Sequence, residues 1–413
     1  MAIAGGSTAF SAETAARRAV WSIAVATGIA SFAMNFWIPF IPLYMKDLGA
    51  TSDANALFWM GLATGAQGIA RIAAGPIWGV ISDRYGRRAM FLRALFFASI
   101  TMSIAAAATE PWHLVVALTV QGIFSGFNPA AVALTSVLVP DHHLNRALSR
   151  VTATQFLGQT IGPALSGILA PTLGFRAAII GGALLPAVAG LYVMLVVPRD
   201  QVGAACPSAG AATEASTPAP ALPSVRSMLT LQFSLVLIIW FATIALSQML
   251  RAATPISLEH MTGAAGASRA VAIAFTLAGL GGVLGVLGAQ RFTRPGGLRT
   301  ALVVACVVIA ASHLVLPVAT DELAFIAAFA IITMLQSGMV PATNTLIAAN
   351  APRERRGTAF GLASAVQAFA FMVGPMAAAA FAVYSLNLGF IVIGVLFVAL
   401  AVMIRIGVRE PKM

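Results

Sequence analysis

Residues 57–80 and 89–108 are two nearly unbroken apolar runs, and only residues 81–88 separate them. Each run has the ~20 residues that a helix needs to cross the hydrocarbon core of a bilayer. A loop so short between segments so apolar cannot be a turn on a water-soluble surface, so it must lie at a membrane surface. The pattern recurs, and twelve spans are predicted. In the first half they are Val20–Met45, Leu57–Val80, Ala89–Ala108, Trp112–Leu138, Ala147–Ala170 and Phe175–Val197; in the second, Met228–Leu258, Arg269–Gln290, Thr300–Ala319, Leu323–Ala349, Gly357–Val383 and Leu386–Ile406. These lengths suit helices, not the roughly ten-residue alternating segments of a barrel. Composition agrees: 59% of the 413 residues are hydrophobic and 9% charged, against about 25% charged in soluble domains.

Residues 198–227, rich in Ala, Pro, Ser and Thr, cannot bury a core and read as a flexible linker. The expected domains are a six-helix bundle over 1–197 and another over 228–413. With both termini and the linker in the cytoplasm, 18 of the 24 Lys and Arg residues fall inside, and Lys46, Arg176 and Arg269 fall outside. That bias orients the chain by the positive-inside rule. The net charge of +11 is scattered over loops rather than gathered on one face, which argues against nucleic acid. Cys206 and Cys306 form no disulfide framework or metal spacing, and no metal or cofactor is expected. The segment up to Arg17 and Arg18 lacks a cleavage signature, so the first span reads as an uncleaved helix.

An internal repeat supports the division. A shift of 212 residues aligns Gly126, Pro129, Leu134, Gln155, Gly162 and Pro163 with Gly338, Pro341, Leu346, Gln367, Gly374 and Pro375. Parallel repeats of this kind build transporters with a site between the halves.

The loop after the second span reads Gly79-Val80-Ile81-Ser82-Asp83-Arg84-Tyr85-Gly86-Arg87-Arg88. Three arginines suit a cytoplasmic anchor, but Gly79, Asp83 and Gly86 at these spacings ask for more. The stretch resembles the major facilitator superfamily signature G-x-x-x-D-R-x-G-R-[RK] at every fixed position. The resemblance implies an all-α membrane fold of twelve helices in two pseudo-symmetric bundles, with Asp83 and Arg84 latching a gate against the start of the eleventh helix near Gly357. In the fifth span, Gly158-Gln159-Thr160-Ile161-Gly162-Pro163-Ala164-Leu165-Ser166-Gly167 resembles the superfamily's exporter pattern G-x-x-x-G-P-x-x-G-G, with Ser166 replacing one glycine. Its glycines permit close backbone approach, and Gly281 and Gly285 in the eighth span are the expected partners. In the first span, Pro39-Phe40-Ile41-Pro42-Leu43-Tyr44 resembles the end of that helix in drug exporters. Its aromatics fit either a moving gate or an interfacial belt.

Polar residues within spans are the substrate-site candidates, because they are costly in lipid. They are Asn35, Gln67, Arg71, Gln121, Asn128, Gln155, Gln248, Arg251, Gln336, Asn344 and Gln367. Gln67 and Arg71 share a helix face. Two departures from the family stand out: Leu118 occupies a position where many proton-coupled relatives carry arginine, and no acid lies deep in a span. His313, in the ninth span, is the one buried group whose ordinary pKa lies near neutrality, and a lone histidine there reads as peripheral packing.

The resemblance implies a monomeric secondary transporter of the drug:proton antiporter type in a bacterial inner membrane, exporting small molecules with protons as the coupling ion. A carrier of an anionic metabolite, or a sensor on a transporter scaffold, is the alternative. An enzyme finds no acid cluster, nucleophile elbow or metal spacing to support it. The gate reading predicts that Asp83→Asn inserts and folds but loses most of its transport. Near-normal flux by a well-expressed Asp83→Asn protein would remove the latch.

Overall fold

The computed structural model describes residues 4–124, 126–139, 141–197, 230–292, 297–350 and 356–408. The expected linker at 198–227 lies outside them. Asp83, Gly79 and Gly167 lie in described helices but outside the described side chains. Among the described residues every regular element is a helix. This is the structure lipid demands, since a helix satisfies its own backbone polar groups.

The first helix, α1, comprises Ala4–Trp37, a 3-10 turn at Ile38–Phe40, and Ile41–Asp47. There follow α2 (Asp53–Tyr85), α3 (Arg87–Ala106), α4 (Pro111–Phe124 and Phe127–Leu138), α5 (Asp141–Leu173) and α6 (Phe175–Val196). Next come α7 (231–262) and α8 (264–292), then α9 (Leu298–Val315), α10 (Glu322–Ala349), α11 (Arg356–Ala382) and α12 (Leu386–Gly407). Nine helical stretches of the described residues are long and apolar enough to cross a membrane. One of them, Leu231–Gly288, is double, because it breaks at Gly263. α2 and α5, each 33 residues long, stand beside the nine without being among them.

Two breaks depart from the sequence reading. A loop was expected between residues 258 and 269, but the helices around it run to within one residue of each other. Gly263, at φ 71°, makes the whole turn, in a conformation that other residues adopt at a cost. The fourth span was read as continuous, yet Gly126 at φ 125° divides it.

The ends of the bundle are named here by residues they carry. The Lys46 end holds the turns after α1, α3, α5, α7, α9 and α11, and the Arg84 end holds the turn after α2. Without a hydrophobic drive between helices in lipid, close packing of small residues must join them. Gly158 and Gly162 of α5 face α1, not α8 as the sequence reading expected. A Cβ on Gly162 would lie 2.8 Å from the Phe32 carbonyl oxygen and 3.0 Å from the Phe36 nitrogen. The repeat is visible in this contact: a Cβ on Gly374 of α11 would lie 2.6 Å from the Ala245 oxygen and 2.9 Å from the Met249 nitrogen of α7. α5 does touch α8: a Cβ on Gly279 would lie 3.0 Å from Thr160 Cγ2. Gly285 packs instead on the Met334 carbonyl of α10, and Gly281 on the same helix. The matching pair in the first half, α2 and α4, meets at Gly122 against the Gln67 carbonyl. The contact is therefore the same in both halves, with its glycine on opposite partners.

The outer part of α1 also resolves a choice the sequence left open. Phe40 and Tyr44 are each 1% exposed, and both pack on Phe175 with ring centroids 6.0 and 6.2 Å apart. The Tyr44 hydroxyl donates to the Ala105 carbonyl at 3.1 Å. These rings are core, not an interfacial belt.

Gly162→Leu would wedge α1 from α5 within one half, an overpacking cost of about 3 kcal/mol or more. Gly75, which has open space above its Cα, should accept Leu without that cost. Thermal unfolding in detergent is expected to show a markedly lower midpoint for Gly162→Leu and a near-native one for Gly75→Leu. Equal midpoints would mean that α1 and α5 are not held this closely.

Candidate functional site

The halves meet along α2 and α11. A Cβ on Gly61 would lie 2.6 Å from Met376 Cγ, and Gly65 abuts Met372. A Cβ on Gly68 would lie 3.1 Å from the Ala368 Cβ, and the Thr64 hydroxyl donates to the Phe371 carbonyl at 3.1 Å. Seven residues further along each helix, the same register would set Gly75 opposite Gly361. Nothing lies within 4 Å of a Cβ at either position. The two helices are thus closed over the Lys46 half of their length and parted toward the Arg84 end.

A polar group sits where they part. Gln67 Nε2 donates to Gln121 Oε1 of α4 at 2.6 Å, and Gln121 Nε2 reaches Met34 Sδ of α1 at 3.2 Å. Arg71 lies one turn from Gln67 and is exposed. Its direction follows from helical periodicity. Gly61, Gly65 and Gly68 define the face of α2 toward α11, and Gln67 and Ala70 the face toward α4. Arg71 projects between these faces. The apolar stripe of Ile69 and Ile77, 56% and 61% exposed, lies on the other side, toward lipid.

The other predicted residues scatter. Asn35 Nδ2 donates to the Ser31 carbonyl of its own helix at 2.8 Å. Gln248 packs its Cβ on Gly374. The Asn128 Oδ1 and Gln336 Nε2 atoms are buried without a partner among the described residues. Gln155, Asn344 and Gln367 are half-buried. Arg251 lies over the Phe275 ring of α8 at 5.4 Å, a cation–π contact that partly offsets its burial. His313 is wholly buried, with Nδ1 2.8 Å from the Ile309 carbonyl and its ring 5.7 Å from Phe397.

At the Arg84 end the chain turns at Gly86, whose N–H donates to the Ser82 carbonyl at 3.0 Å. Arg88 donates to the Met194 carbonyl of α6. Behind the loop, Arg93 stacks over Trp78 at 3.4 Å; Trp78 lies 5.8 Å from Phe124, which stacks on Phe97 at 4.2 Å. The Trp78 indole donates to the Ile123 carbonyl at 2.6 Å. This column ties α2, α3 and α4 together directly beside the Gly79–Arg88 loop. The expected contact between Asp83 and the start of α11 involves side chains outside those described.

At the other end stands a cluster the sequence reading missed. Lys46 Nζ lies 2.7 Å from Asp53 Oδ1 and 2.6 Å from Glu259 Oε2. His260 Nε2 lies 2.8 Å from Asp53 Oδ2. Lys46 and Asp53 belong to the first half and Glu259 and His260 to the second, so the cluster clasps the closed end. Beside it is a cavity of about 330 Å³ lined in part by His260, Met261, Tyr384 and Asn387.

The family model described as Major Facilitator Superfamily matches residues 23–318 and 241–413. The chain is 26% identical over 367 residues to the multidrug resistance protein MdtG of Klebsiella pneumoniae, covering 87% of this chain and 84% of that protein. It is 32% identical over 149 residues to the staphyloferrin B transporter of Staphylococcus aureus, where the match covers 36% of each chain. In fold it is similar to a bacterial homolog of the human lysosomal transporter Spinster, inward-facing and unoccupied. That match has a TM-score of 0.73 and 14% identity over 94% of this chain and 96% of the other.

The Lys46, Asp53 and Glu259 side chains are a quarter or less exposed, so each Lys46 pair contributes about 1 kcal/mol after solvent screening. Lys46→Ala removes the one Lys46 pair that crosses between the halves, Lys46–Glu259, and should move the population toward a parted Lys46 end by roughly fivefold. Spin labels on Ala50→Cys and Met261→Cys, in a Cys206→Ser background, should then show longer distances. An unchanged distance distribution would mean that the clasp carries no weight in the balance of states.

Proposed function

Because the chain belongs to the Major Facilitator Superfamily, we propose that it exports small molecules from the cell by alternating access, driven by inward proton flow. That it is a transporter rather than an enzyme follows from the family. The helix-5 pattern at Gly158–Gly167 and the likeness to a multidrug resistance protein support export. The positive-inside bias assigns the Arg84 end, both termini and the linker to the cytoplasm. The parted end of the bundle then faces the cytoplasm, where an exporter loads.

One observation carries the reading. α2 and α11 share a single register, filled by Gly61, Gly65 and Gly68 at one end and empty at Gly75 and Gly361 at the other. A seam whose α2 side carries glycine at 61, 65, 68 and 75 can close at either end. If the halves rock, Gly75 and Gly361 meet and the Lys46 clasp opens. The gate loop at Gly79, Asp83, Arg84, Gly86, Arg87 and Arg88 lies directly beyond this stretch and would join the closure. In the proposed division, residues 1–197 and 228–413 are the moving bodies.

The test is a cysteine pair, Gly75→Cys with Gly361→Cys, in a Cys206→Ser background. The expected result is slow disulfide formation that abolishes transport, together with loosening of the Lys46 end. Free cross-linking with no loss of activity would refute rocking at this seam. For coupling, inside-out vesicles acidified within should accumulate substrate and lose it on adding an uncoupler. Accumulation indifferent to the uncoupler would refute proton drive.

A further inference from the structure

We propose that the solute is an organic anion and that Arg71 is the group that recognises it. The proposal rests on the transport reading. The Arg71 guanidinium points between the α4 and α11 faces of α2, into the space where α2 and α11 have parted. It is exposed there, and among the described residues no hydrogen bond, ion pair or ring contact engages it. A cation held in the membrane-spanning part of a protein without a partner is costly. Arg93 and Arg251, two other arginines within spans, both have aromatic partners at 3.4 and 5.4 Å. Arg71 differs in being left open.

Its surroundings do not supply the missing charge. The carboxylates with described side chains are Asp47, Asp53, Glu110, Glu259, Asp321 and Glu322, all at the Lys46 end. Asp53, on the same helix, is 18 residues from Arg71, or roughly 27 Å at ~1.5 Å per residue. Asp83 is 12 residues away in the other direction, roughly 18 Å by the same rise. The polar side chains one turn away are neutral: Gln67 is held to Gln121 at 2.6 Å, with Met34 behind them. The segments at the Arg84 end carry more arginine than acid in the sequence, so the approach is positive as well. A field of that sign concentrates anions and repels cations.

The chemistry follows from the group. A guanidinium offers two parallel N–H donors to a carboxylate, sulfonate or phosphate. An organic anion meets that pair of donors; a lipophilic cation meets uncompensated positive charge.

The experiment separates this proposal from the reading beneath it. Binding of carboxyfluorescein (anionic) and rhodamine 6G (cationic) to purified native protein, Arg71→Gln and Arg71→Lys is measured by fluorescence polarisation, and flux in proteoliposomes is followed in parallel. Thermal midpoints confirm that the variants fold. The native protein should bind the anion more tightly, Arg71→Gln should weaken it roughly ten- to hundredfold, and Arg71→Lys should recover part of the loss. Tighter native binding of the cation, or anion binding indifferent to Arg71→Gln, would overturn the proposal. Arg71-dependent anion binding without flux would uphold it and overturn the transport reading instead.

Discussion

The structure depends on backbones meeting backbones. In lipid the apolar side chains of neighbouring helices gain nothing by leaving one another's company, so association rests on van der Waals contact at short range. Gly158 and Gly162 give α1 and α5 that contact, Gly374 gives it to α7 and α11, and Gly122 and Gly285 serve the α2–α4 and α8–α10 pairs. Each of these contacts lies within one half. Between the halves, Gly61, Gly65 and Gly68 run against α11, and that run is filled over only part of its length, while α5 meets α8 near Gly279. The glycine contacts within each half are therefore filled, and the α2–α11 contact between them is incomplete.

Much of this was legible in the residues. Apolar runs of bilayer length separated by short loops dictated helices, and the 212-residue register anticipated that Gly162 and Gly374 would occupy equivalent contacts. What could not be read was which helix lies opposite a given face. The four-residue spacing of Gly158 and Gly162 requires a close neighbour, but any helix with a smooth face satisfies it, and the neighbour proved to be α1. The gate loop was recognisable because its residues are contiguous. The clasp was not, because Lys46 and Glu259 are separated by 213 positions and neither is unusual in its local sequence. Gly263 went unread for a related reason: one glycine in a left-handed conformation replaces a loop, and a lone glycine in a chain of 37 carries no signal.

The site shows the same limit. Gln67 and Arg71 were placed on one face by their spacing, and the structure adds that this face is turned from lipid. Of the remaining polar residues in spans, several are absorbed by packing: Asn35 bonds its own helix, and Arg251 rests on Phe275. A polar residue in a span is a reliable sign that something must satisfy it. Whether a neighbouring helix or a passing solute does so is decided by geometry alone.

The closed stretch of the seam has a material consequence. Opposite Gly61 and Gly65 stand Met376 and Met372, where a branched aliphatic residue would have filled the groove with one rigid shape. Methionine is unbranched and soft, so it can leave such a groove and seat again without finding a single rotamer. That suits a joint that opens and closes, as the proposed transport cycle requires. It also places two thioethers at the contact between α2 and α11. Oxidation would convert each into a polar sulfoxide, which has no place against a glycine backbone in an apolar groove. An oxidising environment would thus wear this machine first at its seal.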